Sequence, residues 1–271
     1  MPTIAGARRR RSDHWSSGIG FVLAATGSAV GLGNLWGFAY RASQGGGAAF
    51  VLLYVVIVVA VGLPVLTAEM VLGRSTGHAP LRAPASAAGR AWQPLGWLFV
   101  IVSLGILAFY AVLMGWTGRS LLHALVVGLP TDMASSEAYF GEISRGGDAV
   151  LAQVVSLALT GLVVAAGVQG GIERLSRWGV PLLFLLLLGL LLWAAFLPGA
   201  DAGYHGFLLR WDAAKLLDPT TIRNAFSQAF FSLGTGIGAI LAYAAYLDRR
   251  SGLHLEAVSV AGMDTAVGLM A

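Results

Sequence analysis

The residues best suited to chemistry lie where a hydrophobic chain tolerates them least. Two apolar runs are interrupted by glycine clusters, Gly27-Ser28-Ala29-Val30-Gly31-Leu32-Gly33-Asn34 and Phe230-Phe231-Ser232-Leu233-Gly234-Thr235-Gly236-Ile237-Gly238. Glycine in a helix interior costs about 1 kcal/mol relative to alanine. Each cluster therefore marks a place where a helix unwinds or where another backbone comes close. Unwinding frees carbonyls, and these join the Asn34 and Ser232 side chains in an oxygen-rich set suited to a hard cation such as sodium. The half-helix N-termini offer partial positive charge to an anionic group. Glu69 and Asp264 are acids within apolar runs, where a charge is costly and usually serves a pathway or a buried network. A purely structural Glu69, accepting bonds from freed backbone donors, and a packing or capping Asp264 are the alternatives. Close packing through small residues would explain either glycine run alone. The pair says more. If the first five runs form one repeat and the sixth opens a second, the breaks sit at matched positions, the pattern of a transporter's central site. Gly31-x-Gly33 is not a dinucleotide fingerprint, since it lies inside an apolar run with no βαβ pattern around it.

The elements that must position these residues follow from composition. The 271 residues are 57% hydrophobic and only 11% charged, with a mean hydropathy of +0.76. Soluble domains carry about 25% charged residues, so most soluble enzymes, disordered proteins and nucleic-acid binders are excluded. The net charge is only +4 and the basic residues are scattered, which argues against nucleic acid despite the high pI. Without cysteine there is no disulfide framework, thiolate nucleophile or cysteine metal site. Apolar runs fall at about 18–40, 48–72, 95–125, 149–166, 179–197 and 223–246, and a seventh starts near Ala257. Each complete run suits a hydrocarbon core that takes about 20 helical residues to cross. The expected fold is an all-α polytopic membrane bundle, because the runs are too long and uniform for barrel strands.

Arg8 to Arg11, Arg74, Arg82, Arg90, Arg174, Arg177, Arg249 and Arg250 fall on one side of such a bundle. Arg41, Arg145, Arg210, Lys215 and Arg223 fall on the other, among most of the loop acids. The basic bias predicts a cytoplasmic N-terminus. The Arg run leads into polar Ser12-Asp13-His14 and then a long apolar run, so it reads neither as a cleavable signal nor as a twin-arginine address. Only 15 residues run from Ala257 to Ala271 without a polar flank. The expectation is a chain with six full spans and part of a seventh, an N-terminal portion of a longer protein. Its expected divisions are a cytoplasmic segment 1–17, a first repeat 18–197, an extracellular loop 198–222 and the start of a second repeat 223–271.

Gly27 to Trp36, then Gly45-Gly46-Gly47-Ala48-Ala49-Phe50 and Glu69-Met70-Val71-Leu72-Gly73-Arg74, closely resemble the neurotransmitter:sodium symporter family. Gln228-Ala229-Phe230-Phe231-Ser232-Leu233-Gly234 and Tyr243-Ala244-Ala245-Tyr246-Leu247 look like that family's sixth span, and the resemblance runs from about His14 to Ala271. It implies a LeuT-type fold with inverted repeats in the plasma membrane and sodium-coupled movement of an amino acid or amine by alternating access, not an enzyme activity. It further implies a substrate cradle of Ala29, Gly31, Leu32 and Gly33, with Tyr110 meeting the substrate carboxylate, although a packed tyrosine is the plain reading of that residue. Ile106, Phe231, Ser232, Gly234 and Ile237 would line the rest of the pocket. Ala29, Asn34, Ser232 and Asp264 would contribute to a first sodium site. Gly27 and Val30 would give carbonyls to a second. A carboxylate at Asp264 could replace the chloride that some members need.

The sequence also departs from the family pattern. Gly37-Phe38-Ala39 stands where many relatives read Arg-Phe-Pro, so the outer-gate arginine is missing; Arg41, one turn further out, could substitute, and an interfacial role for it is the favoured alternative. Met114 holds a position that is acidic in some relatives. The expected cargo is a hydrophobic or aromatic amino acid, because no matched pocket position carries a charge that could pair with an acidic or basic side chain. The expected partners are that amino acid, sodium ions and the lipid bilayer, with no nucleic acid. A non-transporting membrane remnant or interaction partner is the alternative. A retinal pump is disfavoured because the only lysine, Lys215, lies in a loop, and an intramembrane protease because Asp264 lacks a second membrane aspartate.

Overall fold

The computed structural model describes residues 14–248 and 252–271. Arg8 to Arg11, Arg249 and Arg250, used above for orientation, lie outside them. Ser17 starts α1 (Gly18–Ala29) by accepting the Gly20 amide at 3.0 Å. The helix stops where Val30 turns extended, with ψ 122°. A π-turn over Gly33–Gly37 resumes it and leads into α2 (Phe38–Gln44), and the two halves meet at a bend of 59°. Two glycines at positive φ, Gly46 and Gly47, turn the chain into α3 (Ala48–Ile57). A second π-turn carries α3 into α4 (Leu63–Thr76), relieving the ladder just ahead of Pro64, which has no amide hydrogen to give.

A short α5 (Ala83–Ala88) precedes α6 (Gln93–Val126), whose 34 residues extend for about 50 Å, well beyond a hydrocarbon core. Asp132 caps α7 (Met133–Ile143) through the Ser135 amide at 2.9 Å, and α8 (Gly146–Ala165) follows. A π-turn over Val168–Glu173 opens α9 (Arg174–Ala195), and α10 (Ala200–Tyr204) begins the next loop. Asp218 caps α11 (Pro219–Leu233), which ends at Gly234; α12 (Ala239–Ala244) and α13 (Leu253–Met270) complete the described chain.

Helices α1, α2, α3, α4, α11, α12 and α13 form the core, in which Phe21, Phe38, Tyr54, Leu66, Met70, Leu233, Ile240 and Val260 are almost wholly buried. Glycine allows the closest approaches. A Cβ on Gly73 would overlap the Leu241 carbonyl of α12, and one on Gly115 of α6 would stand 2.9 Å from the Gln153 amide nitrogen of α8. Helices α6, α8 and α9 instead expose leucines and valines along most of their length.

Among the described residues, four helical stretches are long and apolar enough to cross a membrane unaided, and the bent α1–α2 pair makes a fifth. The sixth apolar run is not one helix. Gly234, Gly236 and Gly238 all take positive φ, which divides it into α11 and α12. The run expected at 179–197 begins earlier, because the π-turn joins 168–173 to α9.

Candidate functional site

The first break is wired by its own neighbours. Val30 donates to the Thr26 carbonyl at 2.8 Å, the last regular rung of α1. The Gly31 amide, which would have continued the ladder to the Gly27 carbonyl, donates to Asn34 Oδ1 at 3.2 Å. The Leu32 amide faces the Tyr110 hydroxyl from α6. A Cβ on Gly31 would stand 2.9 Å from that hydroxyl, so only glycine lets Tyr110 rest on the backbone there. The Gly27 carbonyl is thereby released from its place in the helical ladder. Gly27 and Val30 also line a cavity of about 490 Å³ with Thr160, Ser176 and Tyr243, a placement open to any ligand entering between α1, α8 and α9.

The second break is held by an acid. Glu69 of α4 accepts the Gly236 amide in a short hydrogen bond, and the Gly238 and Leu241 amides face the same carboxylate. The carboxylate thus takes the place of the carbonyls missing between Leu233 and Ala239. At Gly234 the backbone is left-handed, φ 60°, so glycine is favoured there by conformation rather than by room, since a Cβ would only touch Ile237 Cδ1 at 3.9 Å. The Ile237 carbonyl accepts Ser103 Oγ at 3.3 Å, tying the break to α6 one turn before Ile106.

Between the breaks, three polar side chains from three distant segments meet in a closed network. Asn34 Nδ2 donates to Ser232 Oγ at 2.7 Å and to Asp264 Oδ1 at 2.8 Å, and Ser232 Oγ donates to Asp264 Oδ2 at 2.6 Å. All three are essentially buried. The sequence leads one to expect an oxygen of Asn34 in this cluster, yet its nitrogen is turned inward. The reason is electrostatic: a buried carboxylate gathers donors, since its charge is expensive to leave unpaired. A half-turn of the Asn34 amide about its last torsion would exchange the nitrogen for the oxygen and release the Gly31 amide.

Ala29, Gly31, Leu32 and Gly33 lie beside this cluster. Phe231, half exposed on the last turn of α11, packs its ring on Gly33 so closely that a Cβ there would overlap it. Ile106 and Tyr110 stand one turn apart on α6 and are partly buried. Ser232, Phe231, Gly234 and Ile237 come from α11 and its break. Arg41 is the separate member: it sits in the last turn of α2, and its Nη1 is buried without a hydrogen-bond partner.

Sequence reasoning passed over two residues at the centre. Tyr54 is wholly buried in α3, with its hydroxyl 3.5 Å from Ser232 Oγ, and its signal was one phenol in an aliphatic run. Gln228 is wholly buried, and its Nε2 holds the Gly33 carbonyl at 3.0 Å from α11. A third feature lies at the N-terminal end. Trp15 Nε1 donates to the Tyr243 carbonyl at 2.8 Å, and the Ser16 amide donates to buried Glu173 at 2.9 Å, where Arg177 also pairs at 2.8 Å.

The chain matches known proteins over nearly its whole length. An uncharacterized sodium-dependent transporter of Methanocaldococcus jannaschii is 35% identical over 272 residues, covering 96% of this chain and 54% of the relative. One of Bacillus subtilis is 38% identical over 263 residues, covering 95% and 57%. The crystal structure of MhsT in complex with L-phenylalanine superposes with a TM-score of 0.85 at 36% identity, covering 95% of this chain and 59% of that one. The fold is therefore of the LeuT type, and the chain spans about half the length of the curated relatives it matches. The sequence pattern of the sodium:neurotransmitter symporter family matches residues 11–142 and 137–271. This chain is a membrane protein of the sodium:neurotransmitter symporter family, a family of transporters and not of enzymes.

Proposed function

We propose that this chain builds the ion- and substrate-binding core of a sodium-coupled symporter for hydrophobic or aromatic amino acids in the plasma membrane. The reading rests above all on the Asn34–Ser232–Asp264 junction, where two broken helices and α13 bring a carboxylate, a hydroxyl and an amide within 2.6–2.8 Å. Sodium prefers such hard oxygens, and Asp264 supplies the compensating charge that a cation in a dry site requires. Rotation of the Asn34 amide turns the closed network into a ligand set, to which the Ala29 carbonyl adds. Carbonyls of Gly27 and Val30 contribute to a second ion. The carboxylate of an amino acid meets the Tyr110 hydroxyl and the amides of Leu32 and Gly33, while Ile106, Phe231, Gly234 and Ile237 surround an apolar side chain. The L-phenylalanine held by MhsT supports that cargo class. Because Asp264 carries its own negative charge, chloride is not needed.

Residues 18–197 act as the first repeat, 198–222 as an outer loop and 223–271 as the opening of the second repeat, with the N-terminus cytoplasmic. Ion binding couples the two breaks, and one bundle then rocks about the central site. Glu69 and Arg41 shape the breaks and the outer face without touching cargo. The test is equilibrium binding of radiolabelled amino acids to the purified chain, with sodium or with choline. Leucine, phenylalanine, tyrosine and tryptophan should bind only with sodium and ahead of glycine, glutamate and lysine. Preference for glycine or glutamate overturns the pocket reading. Absence of any sodium-dependent binding favours a non-transporting interaction partner.

A further inference from the structure

A groove on the outer face of α8 and α9 has the make-up of a lipid site and lies apart from the central cluster. It encloses about 610 Å³ between Leu162 and Ala166 of α8, the π-turn at Gly170 and Gly171, and Trp178 and Leu182 of α9. Its floor is open because glycine forms it: a Cβ at Gly170 or Gly179 would meet nothing within 4 Å. The single charged residue lining it is Arg174. The neighbouring charges do not cancel this arginine. The Glu173 carboxylate is buried on the other side, where it accepts from Ser16 and pairs with Arg177 at 2.8 Å. Among the described residues, no hydrogen bond or ion pair engages Arg174, which is exposed. Trp178, one turn along, presents 78% of its surface outward beside it. Arginine and tryptophan at the mouth of an apolar groove match the two ends of a phospholipid, with phosphate on the guanidinium, indole at the headgroup level and acyl chain on leucine and glycine.

We propose that this groove binds one anionic phospholipid, its phosphate held by Arg174 and one acyl chain lying against Leu162, Gly170, Gly179 and Leu182. Charge complementarity selects the occupant. An unpaired cation at the rim of an apolar groove between membrane helices recruits an anionic headgroup, whereas a neutral membrane helix would leave the guanidinium unpaired.

The purified chain is titrated in detergent with phosphatidylglycerol and, separately, phosphatidylcholine, and bound lipids are counted by native mass spectrometry. One phosphatidylglycerol should be retained in preference to phosphatidylcholine. Arg174→Gln should weaken it by about tenfold, the loss of one charge-assisted contact, and should weaken phosphatidylcholine less, because that lipid's own ammonium already offsets its phosphate. Gly179→Leu, which fills the floor without touching the arginine, should weaken both lipids. Excess inorganic phosphate should not displace the lipid. A photoactivatable phosphatidylglycerol should attach within residues 162–182 in native membranes. Unchanged phosphatidylglycerol retention in Arg174→Gln, displacement by phosphate alone, or attachment of this segment to another polypeptide in place of lipid each overturns the proposal.

Discussion

Ser232→Ala isolates the junction between the two broken helices. The hydroxyl donates to Asp264 Oδ2 at 2.6 Å and accepts from Asn34 Nδ2 at 2.7 Å, and Ser232 is 1% exposed, so no solvent replaces it. A hydrogen bond to a charged group contributes about 1.5–3 kcal/mol, and that is the expected loss of stability without sodium. Alanine removes only one oxygen, so little cavity is added. If Ser232 is also an ion ligand, sodium binding weakens by a similar increment, about 10- to 150-fold in half-saturation. Thermal unfolding of the detergent-solubilised chain across a sodium series separates the two effects, since a ligand of the folded state raises the midpoint with its concentration. The expected variant unfolds earlier without sodium and needs far more sodium for the same rise. A variant that unfolds earlier but keeps the parent's sodium dependence would falsify the ligand role and leave Ser232 a structural bridge.

Three other outcomes are expected. Asp264→Asn removes the fixed charge beside the ion; binding that is indifferent to replacing chloride with gluconate in the parent should become chloride-dependent or vanish, and chloride dependence in the parent would refute the charge argument. Glu69→Leu strips the acceptor from the Gly236 amide and should cost about 1–3 kcal/mol, while Glu69→Gln, which keeps a carbonyl oxygen, should cost less; equal midpoints for both variants would show that the tether does not matter. Asp218 caps α11 by accepting from Thr221 Oγ1 at 2.8 Å and the Thr221 amide at 3.1 Å, and these bonds hold its carboxyl below the usual 3.8. The folded value is depressed, so the capping contribution is complete above pH 3.8 and fades as pH falls through the lower folded value. Asp218→Ala should therefore flatten the acid limb of stability there, and an unchanged acid limb would refute the cap.

The breaks were legible because glycine density in an apolar run is a local property, and the chain leaves the helix at Val30 and over Gly234–Gly238, within the two glycine clusters. Residue types at the centre were legible too. Which atoms meet was not. Asn34 and Asp264 stand 230 positions apart, and nothing in either neighbourhood states that the amide nitrogen turns inward and its oxygen back to Gly31. Tyr54 and Gln228 escaped because a phenol in an aliphatic helix and a glutamine on an amphipathic one are ordinary until a distant partner is placed beside them. Arg174 and Arg177 looked alike in a count of basic loop residues. Only the fold distinguishes the one that neutralises Glu173 from the one facing an apolar groove.

The two breaks also differ in what satisfies them, and that difference bears on how a central site can respond to cargo. At the second break a carboxylate anchored in α4 takes up the Gly236 amide through a charge-assisted bond, roughly twice as strong as a neutral one. At the first, the Gly31 amide is met by the neutral Asn34 side chain at 3.2 Å, and the Leu32 amide faces a tyrosine hydroxyl. Both neutral partners belong to the set that cargo would engage. An ion drawing in the Asn34 oxygen frees Gly31, and a substrate carboxylate can accept from Leu32 and from Tyr110 in place of their mutual contact. Under the proposed reading, ligands would exchange bonds at the first break, the ion taking over the Asp264 contact that the Asn34 nitrogen gives up. The same exchange at the second would first have to strip Glu69 of its donors, a step of several kcal/mol for a desolvated carboxylate. On the proposed reading, the first break would accordingly be the adaptable half of the site, and the second the fixed wall against which it closes.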